Sequence, residues 1–371
     1  MIKLKNLFIY TTWKCNLFCR HCWVNAGNLK VYNDLPQKQW NEMILNALDS
    51  AKDLGLEFIK LSGGEPYLLS DLLEKILMRV SDSEIQVSIE TNGTIMNEQN
   101  LGNLSKISTR NLSSVNVSLD SPTASVHNSF RGSDNAFETT LVTIKKLIKN
   151  HIPVNIVYSV SEHNIQELDG MIQLCSQLGV SHLKINPILN VGRAIKGTSF
   201  GYPYQLDIAT IQKLINKYLI HKQYEYSDCV EIYLSVPFGL SQLKNYMIKG
   251  TSLPIYDNCD YLETLSILPG GLCGLCGQAK EYPPFLFGDL NCETLESIWN
   301  GDKIQDYRNI LKNGLEGICA ECLANKICNG GCRISAYVAT GKINGSNPFC
   351  EEYAKRTHFF LNRFYLNKTS K

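Results

Sequence analysis

Between Asn6 and Pro187 the chain repeats one unit about every 30 residues, a β-rich apolar run followed by an amphipathic helical pattern. The runs are residues 6–11, 58–62, 86–91, 114–119, 154–159 and 182–187. In the second unit Leu68, Leu69, Leu72, Leu73, Ile76, Leu77 and Val80 follow the i, i+3, i+4 rule of a helix with one apolar face, and Leu168, Met171, Ile172, Cys175 and Leu178 do so in the fifth. Strands alternating with helices make parallel βα units, whose right-handed crossovers curl the sheet toward a barrel. Six units rather than the eight of a closed barrel leave one side open. The expected fold is therefore α/β, a partial (β/α)6 barrel over residues 1–193, with room for a large substrate.

Residues 194–258 read as a bridge, with a helix near 208–224, a strand near 229–237 and a helix near 240–248. From residue 259 to 371 Gly and Cys dominate around one helical stretch, 295–311, so this second domain is expected to owe its order to bound metal. With 36 Lys+Arg against 35 Asp+Glu, the chain offers no electrostatic footprint for nucleic acid or an anionic membrane. The apolar run 7–10 is too short for a signal sequence, and no later segment is apolar for the ~20 residues a membrane span needs. A cytoplasmic location is expected. In a reducing compartment the 14 cysteines point to metal or redox chemistry rather than to disulfides.

Cys15, Cys19 and Cys22 form C-x3-C-x2-C in the loop after the first strand, at the edge where parallel βα folds carry their chemistry. Three thiolates this close can wrap three corners of a [4Fe–4S] cube and leave the fourth iron open. A closed zinc site needs a fourth ligand, and His21, between Cys19 and Cys22, has little freedom to reach in. The triad followed by Trp23, with Gly63-Gly64-Glu65-Pro66 after the second strand, resembles the radical SAM superfamily. The resemblance extends through Thr91-Asn92-Gly93, Ser118-Leu119-Asp120, His127-x3-Arg131-Gly132, Asn186-Pro187 and Gly192-Arg193. It implies an open iron that chelates S-adenosylmethionine, which one electron from a flavodoxin- or ferredoxin-type reductant cleaves to a 5′-deoxyadenosyl radical.

On that reading Gly63 and Gly64 let the backbone come close to the cofactor, with Glu65 as a nearby acceptor for its ammonium. Standing alone, this run would be a turn. Ser118 and Arg131 are candidates for the S-adenosylmethionine carboxylate, and Asn92 for its ribose or methionine part. Trp23 either shields the cluster and borders the adenine or fills the core.

The second group runs Cys259-x11-Gly271-x4-Cys276, then Cys319-x2-Cys322-x5-Cys328-x3-Cys332, then Cys350. It resembles the SPASM extension of radical SAM enzymes, with 288–300 matching its helical insert. That resemblance implies two auxiliary [4Fe–4S] clusters, three clusters in all. Cys259, Cys276 and Cys332 would hold the first auxiliary cluster, and Cys319, Cys322, Cys328 and Cys350 the second. Cys273 either completes the first cluster, leaves it open to substrate or water, or yields to another ligand. In isolation the C-x2-C pair would equally suit a zinc ribbon. Cys175 is expected to be a buried small hydrophobe, Cys292 incidental, and Cys229 either an inert thiol or a hydrogen-atom donor facing the barrel.

The leading functional expectation is a maturase acting on a ribosomally made precursor peptide, by thioether or carbon–carbon crosslinking or by epimerisation. The alternative is an enzyme of the anaerobic sulfatase-maturing type, which makes formylglycine; that family has an acidic base directly after the cysteine matching Cys276, where this chain has Gly277. Small-molecule chemistry in haem or antibiotic-precursor pathways is a third, and a non-catalytic iron–sulfur scaffold a fourth. A scaffold has no need of an open iron. Many peptide maturases add an N-terminal leader-recognition domain; here the first barrel strand comes almost at once, so recognition is expected from the bridge, the auxiliary domain or a separate protein.

Overall fold

The computed structural model describes residues 2–27, 35–106, 111–194, 205–221, 230–237, 240, 261–322 and 324–357. Six parallel strands lie side by side in chain order: β1 (Asn6–Tyr10), β2 (Phe58–Ser62), β3 (Gln86–Thr91), β4 (Leu112–Ser118), β5 (Val154–Val160) and β6 (His182–Pro187). They alternate with α1 (Gln37–Asp53), α2 (Ser70–Val80), α3 (Glu98–Lys106), the pair α4 (Ala124–Arg131) and α5 (Ala136–Lys149), and α6 (Leu168–Leu178). The apolar stripes face the sheet, and Leu72, Ile76, Val80, Met171, Ile172 and Cys175 are buried. One stripe starts later than its spacing predicts. Pro66–Leu69 forms a 3-10 turn ahead of α2, with the Tyr67 N–H capped by Glu65, and Leu68 is turned out to solvent.

The sheet runs on past the six units at both ends. Helix α7 (Ile208–Leu214), continuing as π-helical turns to His221, leads to β7 (Glu231–Leu234), which adds parallel to β6. The cysteine-rich part sends β8 (Thr264–Ile267) alongside β1, also parallel, and folds back through β9 (Leu272–Gly274) and β10 (Leu286–Asp289) as antiparallel strands. The strand order is β10-β9-β8-β1-β2-β3-β4-β5-β6-β7, an open ladder. Among the described residues no strand pairs with the outer edge of β7. The helix expected near 240–248 lies outside the described residues.

The stretch 295–311 is two helices rather than one. Thr294 caps α8 (Leu295–Asn300), and Gly301, in an extended conformation, separates it from α9 (Asp302–Lys312). Short helices α10 (Gly317–Ala320), α11 (Asn325–Cys328), α12 (Arg333–Thr340) and α13 (Pro348–Thr357) then carry the last cysteines.

The two faces of the sheet differ sharply. Parallel strands are usually buried on both sides, and a closed barrel fills its interior with branched side chains. Here the helix-covered face is apolar, with Ile59, Leu61, Val87, Ile89, Val115, Val117, Ile156, Leu183 and Ile185 at zero exposure. The inner face mixes polar Lys60, Ser62, Ser88, Glu90, Asn116, Asn155 and Lys184 with Phe8, Tyr10, Phe58, Val157 and Tyr233 at the alternate positions. Registered neighbours Glu90, Asn116, Asn155, His182 and Glu231 run across it as one polar row. The side chains bond to each other: Ser62 Oγ to Glu90 at 2.7 Å, Lys60 Nζ to Glu90 at 3.5 Å, Asn116 Nδ2 to Ser88 Oγ at 2.5 Å and Asn155 Nδ2 to Asn116 Oδ1 at 3.0 Å.

Candidate active site

Cys15, Cys19 and Cys22 sit together in the loop that leaves β1, and their sulfurs are met by hydrogen-bond donors. Leu17 N reaches Cys15 Sγ and Ala26 N reaches Cys22 Sγ, each at 3.4 Å, while Arg131 Nη1 lies 3.7 Å from Cys19 Sγ and Asn92 Nδ2 3.8 Å from Cys15 Sγ. Burial pushes the Cys15 thiol up to about 12. Such a thiol ionises only when a bound cation supplies compensating charge, and N–H donors on sulfur suit an anionic iron–sulfur cluster, so the donor set fits one. His21 points elsewhere. Its Nε2 is 3.7 Å from Asp120 and its ring lies against Phe130.

The Gly-Gly-Glu run is packed directly against the cysteine loop. Gly63 has φ +145°, and a Cβ there would meet Thr12 O at 2.5 Å; a Cβ on Gly64 would overlap the Lys14 carbonyl. What comes close is thus the backbone of the cysteine loop, tied by Gly64 N to Thr12 O at 2.6 Å and Glu65 N to Lys14 O at 2.9 Å. Glu65 has both carboxylate oxygens committed: Oε1 accepts from Tyr67 N and Thr91 Oγ1, and Oε2 from Asn92 N at 2.8 Å. It is fully buried, which pushes its carboxyl up to about 7. Glu65 therefore joins the loops after β2 and β3. Asn92, placed by that bond, donates to Asn16 Oδ1 at 3.0 Å and accepts from Thr94 N at 2.8 Å.

Arg131 ends α4 and is nearly buried, with Nη2 2.7 Å from Asp120 Oδ2. Burial alone would raise the Asp120 carboxyl, but the Arg131 guanidinium holds it below its ordinary value. The Asp120 N–H donates to His127 Nδ1 at 3.1 Å, which fixes His127 as the Nε2–H tautomer. The expected carboxylate donor Arg131 is thus engaged by Asp120 and the Cys19 sulfur. Ser118 ends β4 on the polar face, half-buried. Asn186 Oδ1 is buried there with no hydrogen-bond partner. Trp23 is 39% exposed, with its ring edge-on to Tyr10, so it is not core.

Two later segments close on the same loop. Gly192, at φ +59°, packs against the carbonyls of Cys22 and Trp23, and a side chain there would overlap both. Arg193 follows: its backbone N–H donates to Cys22 O at 3.0 Å, Nε to Cys19 O at 2.7 Å and Nη1 to Ala26 O, while its guanidinium stacks on Phe18 at 4.1 Å. From the cysteine-rich part, Lys280 Nζ donates to Val24 O at 2.6 Å and sits 4.1 Å above the Trp13 ring. Gly277 lies against Tyr10, where a Cβ would come within 2.7 Å of the ring. No acidic side chain fits at that position without rearrangement.

In the second group Cys319, Cys322, Cys328 and Cys350 line a single pocket, with Cys332 outside it. Cys332 is instead the thiol neighbour of Cys276. Cys276 opens the 3-10 turn Gly277–Glu281 and Cys332 opens α12, so each sulfur accepts from N–H groups of the turn it starts, Ser335 N to Cys332 Sγ at 3.4 Å among them. Asn347 N donates to Cys319 Sγ at 3.4 Å. Cys273 is different. Fully buried on β9, its thiol is 3.9 Å from Gly271 O, and its charged neighbours are Asp289 and Glu293. Cys175 is fully buried on α6 and Cys292 is exposed. Cys229 and Cys259 lie outside the described residues. The sequence pointed to Arg193 only through the family resemblance, with no role for it, and gave no sign of Lys280; the polar–apolar alternation in β3 and β4 was the available signal for the polar groups of the inner face.

Residues 9–175 match the radical SAM superfamily model, and residues 259–323 match the SPASM model of an iron–sulfur cluster-binding domain. An AdoMet-dependent heme synthase of Methanosarcina barkeri is 27% identical over 364 residues, 94% of this chain and 98% of that protein. A protein of the same name from Oleidesulfovibrio alaskensis is 22% identical, covering 91% and 85%. Among solved structures, Streptococcus suis SuiB bound to its precursor peptide SuiA superposes with TM-score 0.71 at 18% identity, covering 94% of this chain and 76% of that one. Native anSMEcpe with bound AdoMet and Cp18Cys peptide gives 0.70 at 18% identity, covering 97% of both. Described residues include no helix long and apolar enough to cross a membrane. The chain is a radical SAM enzyme with a SPASM domain.

Proposed function

We propose that this radical SAM enzyme abstracts one hydrogen from a residue of a ribosomally made peptide, consuming S-adenosylmethionine, and joins two side chains, the second hydrogen leaving as a proton whose electron an auxiliary cluster would accept. Cys15, Cys19 and Cys22 would hold the cofactor-binding cluster, Cys276 and Cys332 with Cys259 the first auxiliary cluster, and Cys319, Cys322, Cys328 and Cys350 the second. Cys273 is left out, because its sulfur faces a carbonyl and two carboxylates. When bound, the cluster and S-adenosylmethionine supply a 5′-deoxyadenosyl radical. The chain's own residues position that chemistry: Arg193, Lys280 and the glycines fix the cysteine loop, and Ser118 and Asn186 offer hydrogen-bonding groups on the inner face beside it. A reductant of flavodoxin or ferredoxin type would deliver the electron.

The observation that carries this reading is the polar inner face, whose hydroxyls and carboxamides match the donors and acceptors of a peptide backbone. The outer edge of β7, unpaired among the described residues, adds a place where an extended chain can join the sheet. The formylglycine alternative is weakened by Gly277, which leaves no space for a base. A second reading, haem synthesis, is favoured by the end-to-end similarity to proteins named heme synthases. A macrocycle prefers apolar walls, and on the inner face Phe8, Phe58 and Val157 are interspersed with polar side chains. Incubation with S-adenosylmethionine, a reductant and any short peptide found encoded beside this gene should yield a peptide lighter by two hydrogens. An unchanged peptide beside conversion of an iron porphyrin would decide for the second reading, and a gain of one deuterium from deuterated water would replace crosslinking with epimerisation.

A further inference from the structure

Three cations converge on the cysteine loop, and they are not equivalent. Arg131 is neutralised by Asp120 at 2.7 Å, and Lys280 has Glu281 at 4.0 Å. Arg193 has no carboxylate partner among the described residues. Its guanidinium donates to the carbonyls of Cys19 and Ala26 and lies on Phe18, so its position is fixed by backbone that belongs to the loop itself. Gly192, in the left-handed region, lets the β6 loop come close enough to Cys22 and Trp23 for this to happen. A cluster on three thiolates is anionic, and one-electron reduction adds another negative charge. A fixed cation at the loop therefore favours the reduced form.

We propose that Arg193 is a positioning residue that raises the reduction potential of the cluster held by Cys15, Cys19 and Cys22, through its charge, which has no carboxylate partner among the described residues, and its grip on the Cys19 carbonyl. The test is a potentiometric titration of the reconstituted protein followed by electron paramagnetic resonance, with the Cys15, Cys19 and Cys22 to Ala protein supplying the auxiliary background. Arg193→Gln keeps a donor and loses the charge; its equilibrium constant for reduction should fall about tenfold, a shift of about 59 mV to lower potential for one electron. Arg193→Lys keeps the charge and should stay within about threefold of the parent, converted on the same scale. Should Arg193→Gln fail to hold the cluster, Asn25→Asp carries the test. Asn25 Oδ1 lies 3.5 Å from Arg193 Nη1, so a carboxylate there neutralises the charge while leaving the guanidinium in place, and the potential should fall in the same direction. An unchanged potential in Arg193→Gln, or in Asn25→Asp if the first cannot be loaded, overturns the proposal. Neither measurement needs a substrate, so the outcome is independent of the peptide reading.

Discussion

At the scale of residues, the site is built from close approaches rather than from free functional groups. Gly64 shows this best, since any side chain would overlap the Lys14 carbonyl, and backbone cannot yield cheaply there. Gly64→Ala should cost about 3 kcal/mol by the usual range for overpacking. It should also lower iron at the first cluster selectively, which thermal unfolding and iron analysis of the variant would measure. Cys273 and Cys276 are only three positions apart, yet their sulfurs are oppositely served, one facing a carbonyl and the other backbone N–H groups. Cys273→Ala should therefore leave the auxiliary-cluster spectrum unchanged, and Cys276→Ala should alter it. A spectral change in Cys273→Ala would restore that residue as a ligand.

At the scale of elements, α4 is the strut that sets the floor of the cysteine loop. Arg20 N bonds to Phe130 O at 3.0 Å, Gly132 lets the helix end lie against Phe18 O, and His127 holds the N–H of Asp120. Burial, helped by the nearby Arg131, lowers His127 from 6.5 to about 3. The sign follows from which state binds protons. Below pH 6.5 the unfolded chain protonates this histidine and the folded one does not, so its contribution to stability is lost as pH falls, by about 1.4 kcal/mol per unit once well below 6.5. His127→Asn keeps an acceptor for Asp120 N without a titrating ring. Urea unfolding between pH 7.5 and 5.5 should show a shallower pH dependence in that variant, and equal slopes would remove His127 from the account.

At the scale of the whole molecule, barrel and cysteine-rich part share one sheet, since β8 pairs with β1, and Lys280 and Gly277 press on the loop after β1. Anaerobic reconstitution should give three [4Fe–4S] clusters, about twelve irons per chain, falling to about eight when Cys15, Cys19 and Cys22 are all Ala. Iron analysis with assay of 5′-deoxyadenosine checks both numbers, and about four irons with zinc present would refute the auxiliary clusters. The βα repeat, the cysteine spacing and the Gly63-Gly64-Glu65 run were legible in the chain because they depend on local periodicity and short-range spacing. Only the tertiary structure decided that Glu65 is spent on Thr91 and Asn92, that Arg131 answers to Asp120, and that Arg193 closes over the cysteines 171 positions before it when counted from Cys22. Partners so far apart in sequence are chosen by how the sheet curls, and no local pattern records that choice.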